Sequence, residues 1–115
     1  MTEQQSIDRS HAKLATDVAA FALGHNLEAI SGAARGCKKA SSVRQLAMYL
    51  TYTTFEMSLA RCAVAFGRDR STVAHACQLI EERRDEEAFD DWIDGLEAGL
   101  NILHSFAPNR AKARS

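Results

Sequence analysis

The stretch Ser58–Arg84, SLARCAVAFGRDRSTVAHACQLIEERR, decides the fold. Ser58 is placed to cap a short helix whose inward side is Leu59, Cys62, Ala63 and Phe66. Gly67 breaks that helix. Asp69 is placed to cap a second one, with Val73, Ala76, Cys77 and Ile80 inward and Arg70, Ser71, Thr72 and His75 at or near its exposed leading end. Two short helices joined by a tight glycine turn form a helix-turn-helix pattern. Its chemistry depends on geometry. The second helix must fit its N-terminal end into a DNA major groove, where short polar and basic side chains reach base edges and free N–H groups favour phosphate. Many helical hairpins in bundles share the pattern, so it does not by itself separate DNA binding from plain packing.

Outward from this unit the chain stays helical. Upstream, Ser42 with Gln45 is a capping-box pattern, and Val43, Leu46, Ala47 and Leu50 supply an apolar face that should fade near Thr51–Phe55. Residues 32–42, GAARGCKKASS, are small and basic and read as a loop, with a short helix over Leu27–Ile30 capped by Asn26 before it. Ile7, His11, Leu14, Val18 and Phe21 predict an amphipathic helix over 6–23, stopped at Gly24. Downstream, Phe89, Trp92, Ile93, Leu96, Leu100 and Leu103 predict a helix over 85–106, with Asp90, Asp91, Asp94 and Glu97 on its other faces and Trp92 as a core anchor. Gly95 and Gly99 either permit close helix contact there or weaken the helix by about 1 kcal/mol each. Pro108 ends it, and the basic tail NRAKARS reads as disordered.

Composition agrees with a helical domain. The 115 residues are 46% hydrophobic and 25% charged, a globular balance, and one Pro with six Gly leaves little for the turns of an all-β fold. No apolar run approaches the roughly 20 residues of a membrane span, and MTEQQSIDRSHAK lacks the order of a signal peptide. A cytoplasmic, nucleoid-associated protein is the expectation. Cys37, Cys62 and Cys77 form no CxxC, and His75 and Cys77 lie about 200° apart on a helix, which disfavours a shared zinc. No phosphate loop and no Ser/His/Asp or paired-carboxylate arrangement is present. No enzyme, cofactor, metal or nucleotide is therefore expected. Net charge is −1, but it conceals an asymmetry. Ala33–Ile80 holds seven bases against two acids, net +5, whereas Glu81–Ser115 holds five bases against nine acids, net −4. A basic segment beside an acidic one suits a polyanion-binding face with a repelling flank.

Three blocks carry a resemblance: RQLAMYL at 44–50, SL followed by AFG within 58–67, and RDRSTVAHAC at 68–77. The segment of about 18–84 resembles the C-terminal DNA-binding domain of the bacterial replication initiator DnaA. The resemblance implies that Asp69, Ser71 and Thr72 contact bases and nearby backbone, with Arg68 matching the Arg of the same signature, while His75 reads on its own as helix packing or a phosphate contact. It implies that Arg44 and Gln45 engage DNA at the start of their helix. Arg35, Lys38 and Lys39 then belong to a basic loop that sends one side chain into the minor groove, and the alignment does not choose among them. Arg70 stands for the family's His, Ser71 for its Thr, Tyr52 for a Lys and Ala60 for a Pro, and one residue is missing after Gly67. The preferred DNA sequence is therefore expected to differ.

The combined expectation is one all-α domain over 1–115, with five or six helices. A DnaA-like part spans 18–84, with the helix-turn-helix at 58–84. An acidic helix at 85–106 and a basic tail at 107–115 follow. The N- and C-terminal helices should pack together or form a homodimer interface. The expected partner is double-stranded DNA, bound in a sequence-specific way, in transcriptional regulation or as an accessory or competitor at DnaA-type sites. The alternative is a protein-interaction adaptor that uses the acidic helix and has a degenerate DNA face.

Overall fold

A computed structural model describes residues 1–24 and 37–106, with backbone only at 37–39. Five helices form among them: α1 Glu3–Ala22, α2 Cys37–Thr54, α3 Leu59–Phe66, α4 Arg70–Arg83 and α5 Glu87–His104. The expected helix at Leu27–Ile30 with its cap Asn26, Arg35 of the basic loop, and the tail NRAKARS lie outside the described residues.

α1 begins earlier than its apolar pattern suggests, because Thr2 and Gln5 form a reciprocal capping box, each side chain accepting from the other's backbone N–H at 3.0 Å. Its buried face also differs from expectation. Asp8, Ala12, Ala15, Ala19 and Ala20 are buried, while Phe21 is 87% exposed. The expected stripe of larger residues flanks the seam instead of forming it. Alanines let α1 lie close on α2 and α3, so the small side chains take the centre. The buried Asp8 is satisfied by a two-pronged grip from Arg61, whose Nε and Nη2 donate at 3.0 and 2.7 Å, and by Gln4 at 2.8 Å.

Over 37–42, α2 corrects the loop expected at 32–42 and the cap at Ser42; residues 32–36 lie outside the described residues. The helix already runs from Cys37, because no glycine or proline follows Gly36 before its end and Lys, Ala and Ser all tolerate helix. Its later turns form the centre of the core, with Val43, Leu46, Ala47, Met48, Tyr49 and Leu50 all buried. The β-branched TYTT segment stays helical to Thr54. Thr51 donates its hydroxyl to the carbonyl of Ala47 at 2.7 Å, so its polar atom is satisfied within the helix.

α5 buries Phe89, Ile93 and Leu100 against this core. Trp92 is not the expected anchor. It is 36% exposed and leans on Phe89, with ring centroids 5.7 Å apart, because the α5 seam is centred one position further round at Ile93. Gly95 and Gly99 mark no close approach within the chain, since a Cβ at either meets nothing within 4 Å. None of the described helices is long and apolar enough to cross a membrane.

Candidate nucleic-acid interface

Local sequence builds the turn. Ser58 Oγ accepts from Arg61 N–H at 3.1 Å and starts α3. Gly67 ends it in the left-handed region at φ 64°, ψ 38°, where a side chain would be strained. The Arg68 N–H then closes on the Ala63 carbonyl at 3.0 Å, and the chain turns into α4 with Asp69 extended. The Asp69 carbonyl accepts from the N–H groups of Thr72 and Val73 at 3.0 and 3.2 Å. Its carboxylate makes no capping hydrogen bond, which corrects the expectation of a side-chain cap.

α4 is two-sided. Val73, Ala76, Cys77 and Ile80 are buried on α2 and α3, as their spacing predicts. Arg68, Asp69, Arg70, Ser71, Thr72 and His75 are all exposed, so the structure brings these expected site residues together at one end. No acid lies within the first turn of α4 itself, and Asp69 at the N-cap is the acid nearest its positive dipole end.

Arg44 of α2 joins this end. Burial first, and the nearby Arg68 charge second, push the Arg44 guanidinium below its ordinary pKa. Gln45 is half-buried and lines a hollow of about 70 Å³ with Ile80, Arg83, Phe89 and Trp92, which places it with the far end of α4. Lys38 and Lys39 sit in the first turn of α2, with their side chains outside the described residues.

The acidic flank holds a network that the sequence reading did not identify. Arg84 donates to Asp90 and Asp94, to Glu97 at 3.5 Å and to the Tyr49 hydroxyl at 3.0 Å. The Tyr49 hydroxyl donates to Glu81 at 2.7 Å, and Thr53 donates to Glu97 at 2.6 Å. Burial, then Glu81, pushes the Tyr49 phenol up to about 12. Arg83 stacks over Phe89, 4.0 Å from the ring centroid. These contacts moor α5 to the C-terminal end of the 14-residue α4, about 20 Å from its leading end. The acidic helix therefore leaves the Arg68–Thr72 end uncovered. A signal for the network was present in the sequence, since Arg83 and Arg84 are the lone bases among the nine acids of residues 81–97.

Other chemistry finds little support among the described residues. Asp90, Asp91 and Asp94 bring carboxylate oxygens within 4.8 Å of one another, but Arg84 already engages two of these residues. Burial pushes the thiols of Cys62 and Cys77 up to about 12 and about 11, which makes both poor nucleophiles.

The pattern of the family described as bacterial dnaA protein helix-turn-helix matches residues 16–80, more than half of the chain. The chromosomal replication initiator protein DnaA 2 of Chlamydia trachomatis serovar D is 40% identical over 57 residues, 47% of this chain and 12% of that protein. DnaA 2 of Chlamydia muridarum matches to the same degree. The chromosomal replication initiator protein DnaA of Thermodesulfovibrio yellowstonii is 39% identical over 61 residues, 51% of this chain and 14% of that protein. The chain thus spans about an eighth of the length of these relatives. No solved structure matches. Over these residues, with an all-α architecture and the turn at Gly67, the chain belongs to the bacterial DnaA helix-turn-helix family.

Proposed function

We propose that this chain is a sequence-specific double-stranded DNA-binding protein, acting as a transcriptional regulator or as an accessory or competitor at DnaA-type sites. The observation that carries the reading is the split of α4: its apolar side is buried, and Arg68, Asp69, Arg70, Ser71, Thr72 and His75 stand exposed around a helix N-terminus. Arg68–Thr72 would read the major groove, each good base contact contributing about 1–3 kcal/mol. Arg35, Lys38, Lys39 and Arg44 would hold phosphate or the minor groove, while Gln45, beside Arg83 at the far end of α4, would reach only flanking backbone. These 115 residues contain no phosphate loop, so the binding proposed here involves neither nucleotide nor catalysis, and a nucleoid-associated location follows from it. The DNA-binding unit spans about 18–84, flanked by the acidic helix. A homodimer through the N- and C-terminal helices belongs to the same proposal, because α1 and α5 pack together and still leave large apolar side chains outside.

Anisotropy titration against random duplexes and duplexes carrying DnaA boxes tests the proposal. Binding is expected to weaken with salt at a slope of about −0.9 per phosphate contact, with a preference among sequences above that background. Undetectable binding to every duplex at low salt would overturn it in favour of an adaptor. Arg84 engages Asp90, Asp94 and Glu97, three of the nine acids an adaptor would use.

A further inference from the structure

One surface remains unexplained by DNA binding. Between α1 and α5 runs a groove of about 260 Å³ with an almost wholly apolar lining. Leu14, Val18 and Phe21 form one wall, and Leu96 and Leu103 the other. Gly95 and Gly99 form a smooth floor on which a Cβ would meet nothing within 4 Å. Beside this depression stand protrusions: Phe21 is 87% exposed, Leu103 49%, and Ile102 and Phe106 of the same end are 60% and 78%. Two phenylalanines this exposed present on the order of 300 Å² of apolar surface by themselves. That is under half of the roughly 800 Å² per partner that a standard interface buries.

We propose that this groove receives Phe21 of a second copy of the chain across a two-fold axis, so that the protein binds DNA as a dimer on an inverted repeat. Shape supports this occupant, because an isologous interface needs protrusion and depression on one patch, and Phe21 and the Gly95–Gly99 floor supply both. Charge supports it as well. The leading half of α5 is acidic, with Glu87, Asp90, Asp91 and Asp94, but no acid follows Glu97. Antiparallel pairing of α5 with its copy sets each acidic leading half beside the partner's acid-free half, whereas parallel pairing sets acid against acid. None of the groove residues belongs to the proposed DNA face, so pairing leaves both leading ends of α4 available to two half-sites.

The statement about the inverted repeat rests on the DNA-binding reading; the pairing itself does not. Sedimentation equilibrium of the full chain at micromolar concentration is the test, with Phe21→Ser and Gly99→Gln as variants. Phe21 is exposed and Gly99 opens on space where Gln is the better helix former, so neither should unfold the monomer. Wild type is expected at twice 12.6 kDa, and each variant should raise the dimer dissociation constant about tenfold or more. In anisotropy, Phe21→Ser should keep wild-type affinity for one half-site and lose the tighter binding to two inverted copies. A wild-type mass of 12.6 kDa, whether because another segment of the chain or a different partner fills the groove, would overturn the pairing. Variants that dimerise as wild type does would overturn it too. A chain that dimerises through this face yet binds no duplex would support the pairing and overturn the DNA reading.

Discussion

Asp69 shows how a single side chain divides its roles. A residue before a helix normally contributes about 1 kcal/mol by capping, but here the carbonyl of Asp69 takes the first turn's N–H groups and its carboxylate takes none. Asp69→Ala is therefore expected to change stability by less than about 0.5 kcal/mol, measured by urea unfolding, while flattening the ranking of duplexes that differ by one base. Arg44→Ala should act in the opposite manner, weakening all duplexes alike and reducing the salt slope by about 0.9, as should Lys38→Ala. Equal effects of Asp69→Ala and Arg44→Ala on base preference would contradict these assignments. Asp8 carries a structural role instead. The Arg61 hydrogen bond, against the opposing cost of burial, holds its carboxyl below the usual value of 3.8. A depressed folded-state pKa contributes stability that is present above the unfolded pKa and is lost as pH falls through the folded one. Asp8→Asn should cost about 1–2 kcal/mol near neutrality, discounted because Arg61 is half-exposed, and should lessen the loss of stability below about pH 4.

Among elements, the helix-turn-helix was legible because its signals are local. Ser58, Gly67 and the period of Leu59, Cys62, Ala63 and of Val73, Ala76, Cys77, Ile80 lie within one window, and each keeps its expected place except for the Asp69 carboxylate. Gly67→Ala should cost about 1 kcal/mol, since a Cβ at φ 64° is strained even though space is free. Features set by distant partners were not legible. Which face of α1 is buried depends on how closely α2 and α3 approach, and alanines win there over Ile7, Leu14 and Phe21 although their hydrophobicity is lower. The start of α2 at Cys37 was hidden because a run of Lys, Ala and Ser is compatible with loop or helix. The mooring of α5 was hidden because Tyr49 and Arg84 are 35 positions apart. Arg84→Met should cost about 2–3 kcal/mol, leaving the Tyr49 hydroxyl and Glu97 without their cation. Hydrogen exchange should then show α5 opening before α2, with base preference at the other end of α4 unchanged.

At the scale of the whole molecule, two regions with different tasks share one core. One end of the bundle presents the leading turn of α4 with Arg44 and Arg68, and the other holds α5 by ion pairs and the aromatic cluster of His11, Phe55 and His104. In that cluster His11 stacks on Phe55 with centroids 4.2 Å apart. Burial first, and then the His104 charge, lower its pKa below 6.5, with Asp8 opposing and Arg61 adding to the shift. For a base with a depressed folded pKa, the unfolded chain binds more protons, so stability is full above the unfolded pKa and declines as pH drops below about 6.5. Thermal melts from pH 7.5 to 5 should show that decline, and His11→Phe should reduce it. At 12.6 kDa the chain is small enough for residue-resolved amide mapping by NMR during titration with a duplex at low salt. The largest shifts are expected on Arg68 to Thr72, His75 and Arg44, while amides of Asp90 to Glu97 stay near their free positions. Shifts concentrated on α5 with Arg68–His75 unmoved would contradict the proposed DNA face.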